Sequence, residues 1–257
     1  MIFLIILIAL IVGGYFFYTN SQHKPADNKD AIKFVTGSML EENINFYRGL
    51  DTAGKARFEQ AVKDFLEIVR ITGVDCTVDE TDKLMIAASA VIPVFAFEGW
   101  RYSNLREVLL YSDTINESFE TKGEGRTIMG MVGSGYMEGK MLLSKHSLQL
   151  GFNNRTDKSN TAIHEFVHLV DKMDGATDGI PELLLSRQYV LPWLNMMHEN
   201  ISKMAEDRSD IDKYGMTNQA EFLAVAAEYF FERPDLLKIK HPELFGMLEK
   251  MFGGSSK

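Results

Sequence analysis

Cysteine is almost missing: Cys76 stands alone among 257 residues. One thiol cannot close a disulfide within the chain, and it cannot build a cysteine-based zinc site. Cys76 reads as a small buried apolar residue. Basic runs are missing too. The 27 Lys and Arg residues are outnumbered by 36 Asp and Glu, for a net charge of −9. An acidic chain without a Lys/Arg cluster suits nucleic acid poorly, so no nucleic-acid partner is expected. Internal repeats and low-complexity tracts are also lacking, which argues against a solenoid. What is there, 46% hydrophobic and 25% charged residues, is ordinary globular composition with chain enough for a large core.

Charge is absent from the first eighteen residues, "MIFLIILIALIVGGYFFY". As a helix they would span roughly 27 Å, near the hydrocarbon thickness of a bilayer. Tyr15, Phe16, Phe17 and Tyr18 close the run like an interfacial aromatic belt. A cleaved signal peptide would want a basic start and a small-residue cleavage site, and neither stands out. The expectation is one transmembrane anchor in the lipid bilayer over residues 1–19, a polar linker over 20–33, and a folded domain over 34–252. Lys24, Lys29 and Lys33 follow the span. The positive-inside bias therefore puts the domain on the cytoplasmic side of a single-pass inner-membrane protein.

Within the domain, Phe58, Ala61, Val62, Phe65 and Val69 share a helical stripe over residues 55–70. "DKLMIAASAVIPVFAF" reads as a buried helix or helix pair interrupted near Pro93. "REVLLYSDTI" reads as a strand in its middle, and "TIMGMV", "KMLLS" and "HSLQLGF" as strands or hairpin pieces. After residue 155 the pattern is helical. A small sheet followed by a helical half predicts an α+β fold.

"TAIHEFVHLVDKMDG", residues 161–175, carries the chemistry. Ile163, Phe166, Val167, Val170 and Met173 define a core face, with cap residues in "TDKSN" before it and Gly175 after it. His164 and His168 lie four apart on a neighbouring stripe. Such a pair can bring two imidazole nitrogens to one zinc ion. Glu165 points about 100° away from His164 and is left free to act as a base. Asp171 continues the histidine stripe; it either orients a histidine through its second ring nitrogen or stands as a surface carboxylate at the helix end. His146, His23, His198 and His241 have no ligand spacing and read as structural. A catalytic zinc takes three protein ligands. The best downstream partner is "NQAEFLAVAAEYFFERPDLL", where Glu221 and Glu228 share one stripe of an otherwise apolar helix.

Together, "AIHEFVHLVDKMDG", "IDKY", "NQAEFLAVAAEYFFERPDLL" and "EVLLYSD" resemble the MtfA-like zinc metallopeptidases, of the zincin type with glutamate as third ligand. The resemblance spans roughly residues 40–250. It implies a zincin-like domain holding one zinc ion through His164, His168 and Glu221. It also implies Glu165 as catalytic base, Tyr214 as a group stabilising the transition state, and Glu228 as a residue supporting a ligand. Some members carry a further metal-associated histidine before the active helix, and "TIMGMVGSG" has none. The expected activity is amino- or endopeptidase hydrolysis of a peptide or protein substrate. An edge strand in "KMLLSKHSLQLGF" could hold that substrate by β-augmentation. The resemblance also raises the alternative of a regulatory protein that sequesters a transcriptional repressor, with zinc structural or vestigial.

Overall fold

The structure, a computed structural model, describes residue 33 and residues 35–154 and 157–253. The expected anchor over 1–19 and the linker up to residue 32 lie outside the described residues. Among the described residues no helix is long and apolar enough to cross a membrane.

Two short helices, α1 (Gly37–Asn43) and α2 (Asn45–Arg48), lead into the long α3 (Thr52–Ile68). Asp51 starts α3 by accepting a hydrogen bond from the Gly54 amide at 2.7 Å. Phe58, Val62, Phe65 and Leu66 then face the core. The helix stops two residues earlier than its stripe suggested. Val69 turns extended and β1 (Arg70–Val74) follows at once, its Ile71 and Thr72 being β-branched and better suited to a strand. Helix α4 (Glu80–Val91) opens with a reciprocal cap between Asp79 and Asp82. It is buried from Leu84 to Val91, and it tightens into a turn at Ile92–Val94, where Pro93 was expected to interrupt it.

The sheet adds β2 (Glu107–Tyr111), β3 (Gly130–Val132) and β4 (Lys140–Ser144), in the order β1-β2-β4-β3. The first three neighbours run parallel and β3 runs antiparallel to β4. Two expectations change here. "HSLQLGF" is not a strand: it belongs to α5 (Lys145–Asn153). Its alternating apolar residues mislead because Leu148 enters the core while Leu150 is 51% exposed. Ser144, the last strand residue, starts the helix by accepting from the Ser147 amide. The sheet edge is also not in "KMLLS", which is internal, but in the three-residue β3. A buried ion pair fastens this corner. Asp82, fully buried, meets Lys145 Nζ at 2.6 Å and joins the start of α4 to the start of α5.

The second half is helical: α6 (Thr161–Asp171), α7 (Val190–Ala205), α8 (Gln219–Glu232), α9 (Pro234–Lys240) and α10 (Pro242–Phe252). The result is α+β, a small mixed sheet within a helical majority. Helix α6 lies in the middle, against α4, α5, α8 and β3. Phe166 anchors it, fully buried against Phe65 and Tyr102 at ring separations of 5.7 and 5.4 Å.

Candidate metal centre

Helix α6 is built to be held still. Asn160 caps its start by accepting from the Ile163 amide at 3.2 Å. A turn at Lys172–Asp174 ends it, and Gly175 takes the left-handed backbone at φ 105° that such a stop favours. Helix α8 starts the same way, with Asn218 accepting from the Glu221 amide at 2.9 Å. That cap places Glu221 in the first turn of α8, facing the middle of α6.

Three side chains from these two helices converge. His164 Nε2 lies 2.9 Å from Glu221 Oε2, His168 Nε2 lies 3.3 Å from the same oxygen, and the two Nε2 atoms are 3.0 Å apart. Their ligating atoms all fall within 4.8 Å of one another. Atoms bound to one tetrahedral zinc ion at about 2.0–2.1 Å would lie roughly 3.3 Å apart. The donor set and its spacing therefore fit a single small cation. The hydrogen-bond chemistry agrees. Glu228 Oε1 faces His164 Nδ1 at 2.7 Å. A carboxylate oxygen accepts, so Nδ1 donates, and in a neutral ring Nε2 keeps its lone pair. That lone pair points at a carboxylate and a second imidazole, an arrangement that calls for positive charge at its centre. Burial lowers the His164 pKa, but Glu221 and Glu228 outweigh it and raise it to about 10. Burial raises Glu221, yet the two histidines bring it down to about 2.

Glu165 lies beside this cluster, 6% exposed. Burial pushes its carboxyl up to about 6, with His164 and His168 pulling back. Strand β3 passes directly over it. A Cβ built on Gly130 would lie 2.7 Å from Glu165 Cγ and 2.8 Å from its Oε1. Only glycine lets the strand come this close. Gly130 was not singled out from sequence, although a lone glycine within a strand pattern signals close approach.

Gly130, Met131 and Val132 form one wall of a cleft of about 610 Å³, with His164, Glu165, His168 and Glu221 at its floor. Tyr214 lines the same cleft from the turn Lys213–Met216, its ring 6.0 Å from that of His164. It is 56% exposed. Partial burial raises its phenol pKa, helped by Glu221 and Glu165. Lys172, at the end of α6, donates to the Gly133 carbonyl at 3.0 Å and to Glu138 at 2.8 Å, tying the β3–β4 connection to α6.

The remaining expected residues divide. Glu228 meets His164 and also accepts from the Asn160 amide at 2.6 Å and the Ser159 hydroxyl at 3.0 Å. Asp171 is fully buried and accepts from the Gly179 amide at 2.8 Å. No hydrogen bond joins Asp171 to a histidine among the described residues: its Oδ1 and His168 Nδ1 are both buried without a partner.

With this geometry in view, the comparisons with known proteins are decisive. The sequence profile of the glucose-regulated metallo-peptidase M90 family matches residues 19–253. The chain belongs to that family. An uncharacterized protein of Synechocystis sp. is 26% identical over 226 residues, covering 84% of this chain and 82% of its own. Mlc titration factor A of Escherichia fergusonii is 26% identical over 227 residues, covering 82% and 83%. Mlc titration factor A of Pectobacterium atrosepticum is 26% identical over 181 residues, covering 65% and 66%. An M90 metallo-peptidase needs a metal, and the His164–His168–Glu221 cluster is compatible with one.

Proposed function

We propose that this chain is a zinc-dependent peptidase whose single zinc ion is held by His164, His168 and Glu221. The observation that carries the reading is the convergence of three lone-pair-bearing atoms beside a buried carboxylate, under the edge strand β3. When bound, zinc supplies Lewis acidity, polarising a carbonyl and acidifying water. Glu165 takes a proton from the attacking water and passes it to the leaving amine. Its pKa of about 6 suits both halves of that transfer near neutral pH. The Tyr214 hydroxyl donates to the developing oxyanion. Glu228 fixes the His164 ring, and Asp171 fastens the loop at Gly179.

Strand β3 supports a mode of substrate binding. Ser144 donates to Met129 O and Gly133 donates to Lys140 O, so the pairs 129/144, 131/142 and 133/140 are the bonded ones. Gly130 and Val132 then offer their amides and carbonyls to the open side. An extended peptide can pair there by β-augmentation, above Glu165. In this reading the domain spans residues 34–252, anchored in the cytoplasmic membrane through residues 1–19, with its cleft on the cytoplasmic side.

A second reading is favoured by the relatives' name, Mlc titration factor A, which describes binding and not hydrolysis. In it the chain sequesters a transcriptional repressor. Glu165 and Tyr214 weigh against that reading, since neither is needed to hold a metal. Zinc content and hydrolysis of an unstructured peptide panel, measured on wild type and Glu165→Gln, separate the two. The peptidase reading expects Glu165→Gln to keep zinc and lose hydrolysis. Equal cleavage by both proteins, or no cleavage by a zinc-loaded wild type, would overturn it.

A further inference from the structure

The metal cluster takes two ligands from α6 and one from α8, so it depends on how one helix is set along the other. Any shift of one helix along the other changes the distances from Glu221 to the two histidines. Glu221 stands in the first turn of α8, so the cluster's own contacts hold only one end of that helix. Something else must hold the register.

The contacts at the start of α6 identify it. Asn160 is 1% exposed and every one of its polar groups except its carbonyl, which serves the helix, is committed across or along the interface. Its Oδ1 caps Ile163. Its backbone amide donates to Glu228 Oε2 at 2.6 Å. Its side-chain Nδ2 donates to Glu232 Oε1 at 2.9 Å. Glu228 and Glu232 are one helical turn apart on α8 and grip the same residue, one by backbone and one by side chain. Glu221, Glu228 and Glu232 thus form a single carboxylate stripe, at offsets of seven and eleven residues. Glu228 already has a direct role at His164. Glu232 touches no histidine, yet its carboxyl is kept beside other acids. Burial raises its pKa to about 7; the Asn160 amide pulls it down, while Asp157 and Glu228 push it up. Such a position is costly for a surface carboxylate and is explained by what it holds.

We propose that Glu232 is a positioning residue for the metal centre: through the Asn160 side-chain amide it sets α6 on α8 so that His164 and His168 meet Glu221. The inference rests on the metal reading of the cleft and deepens it. Its consequence is that metal affinity depends on a residue that contacts no ligand. Partners outside the ligand set commonly change metal affinity about 10–100-fold.

The test measures zinc affinity of the full chain by competition with a chromophoric chelator, with folding checked by circular dichroism. Glu232→Ala should weaken zinc binding about tenfold or more. Glu232→Gln, which keeps an acceptor for Asn160, should stay within about threefold of wild type. Asn160→Ser keeps the helix cap and the amide to Glu228 but cannot reach Glu232, so it should match Glu232→Ala. It also provides the measurement if Glu232→Ala does not fold. Wild-type affinity in Asn160→Ser or in folded Glu232→Ala would overturn the proposal, as would failure of Glu232→Gln to recover binding. His164→Ala is the control for the site itself. A wild type that takes up no zinc, or that loses none in His164→Ala, would instead bring down the metal reading on which the proposal stands.

Discussion

Gly130→Ala tests the arrangement of the proposed base, Glu165, and strand β3 with a single methyl group. The added carbon would lie 2.7 Å from Glu165 Cγ, 2.8 Å from Oε1 and 3.0 Å from Cδ. Carbon atoms in contact rest at about 3.5–4.0 Å, so the Glu165 side chain must retreat by about 1 Å. The backbone at Gly130 is not left-handed, so alanine brings no conformational penalty beyond this crowding. Overpacking of this kind costs about 1–3 kcal/mol of stability. For a domain of this size that is a melting temperature lower by roughly 2–4 °C per kcal/mol. The effect on catalysis should be larger, because a 1 Å misplacement of a catalytic group can cost about 100-fold. His164, His168 and Glu221 are not among the nearest atoms to the new methyl, so zinc should be retained. The assay is kcat on any peptide that wild type cleaves, with zinc content and a melting curve on the same preparation. The expected result is a kcat about 100-fold lower on a folded, zinc-loaded protein. A kcat within threefold of wild type would refute the claim that β3 sets the position of Glu165.

Two further tests address the frame. Phe166→Ala removes a fully buried ring from the centre of α6 and should cost about 3–5 kcal/mol in urea unfolding. Asp210 accepts from Lys158, Lys240, Tyr229 and His241, and these partners hold its carboxyl far below its ordinary 3.8 despite partial burial. A depressed carboxylate stabilises the fold above its unfolded pKa, and that contribution disappears as pH falls through the folded value. Asp210→Asn should therefore melt below wild type at pH 7, and the gap should narrow progressively as pH falls below about 3.8. A gap that widened on acidification would contradict the assignment.

Much of this is legible in the sequence, and what is legible is local. The stripe through Ile163, Phe166, Val167 and Val170 defines α6, and its histidines have to share a face because helical periodicity leaves no alternative. Alternation was a poorer guide. In "HSLQLGF" it suggested a strand where Ser144 caps a helix, since a few residues of either period look alike. The sheet edge was misplaced because strand order is decided by long-range pairing, and nothing local to "KMLLS" says that it lies between β2 and β3. Gly130 and Glu232 are not marked by any local pattern for the same reason, and Asn160 is marked only as a helix cap, not as the partner of α8. Each matters only for what it meets from a distant part of the chain.

The carboxylate row along α8 bears on how such a centre can change over time. A helix is a ruler with fixed divisions, and here three marks on it must stay aligned with one neighbour. Exchanging the apolar residues between those marks leaves the alignment intact. Gaining or losing one residue between Glu221 and Glu228 turns everything downstream by about 100°. Lineages carrying this centre should therefore tolerate drift in the identity of α8's residues while forbidding change in its length, and insertions should collect in the loops on either side.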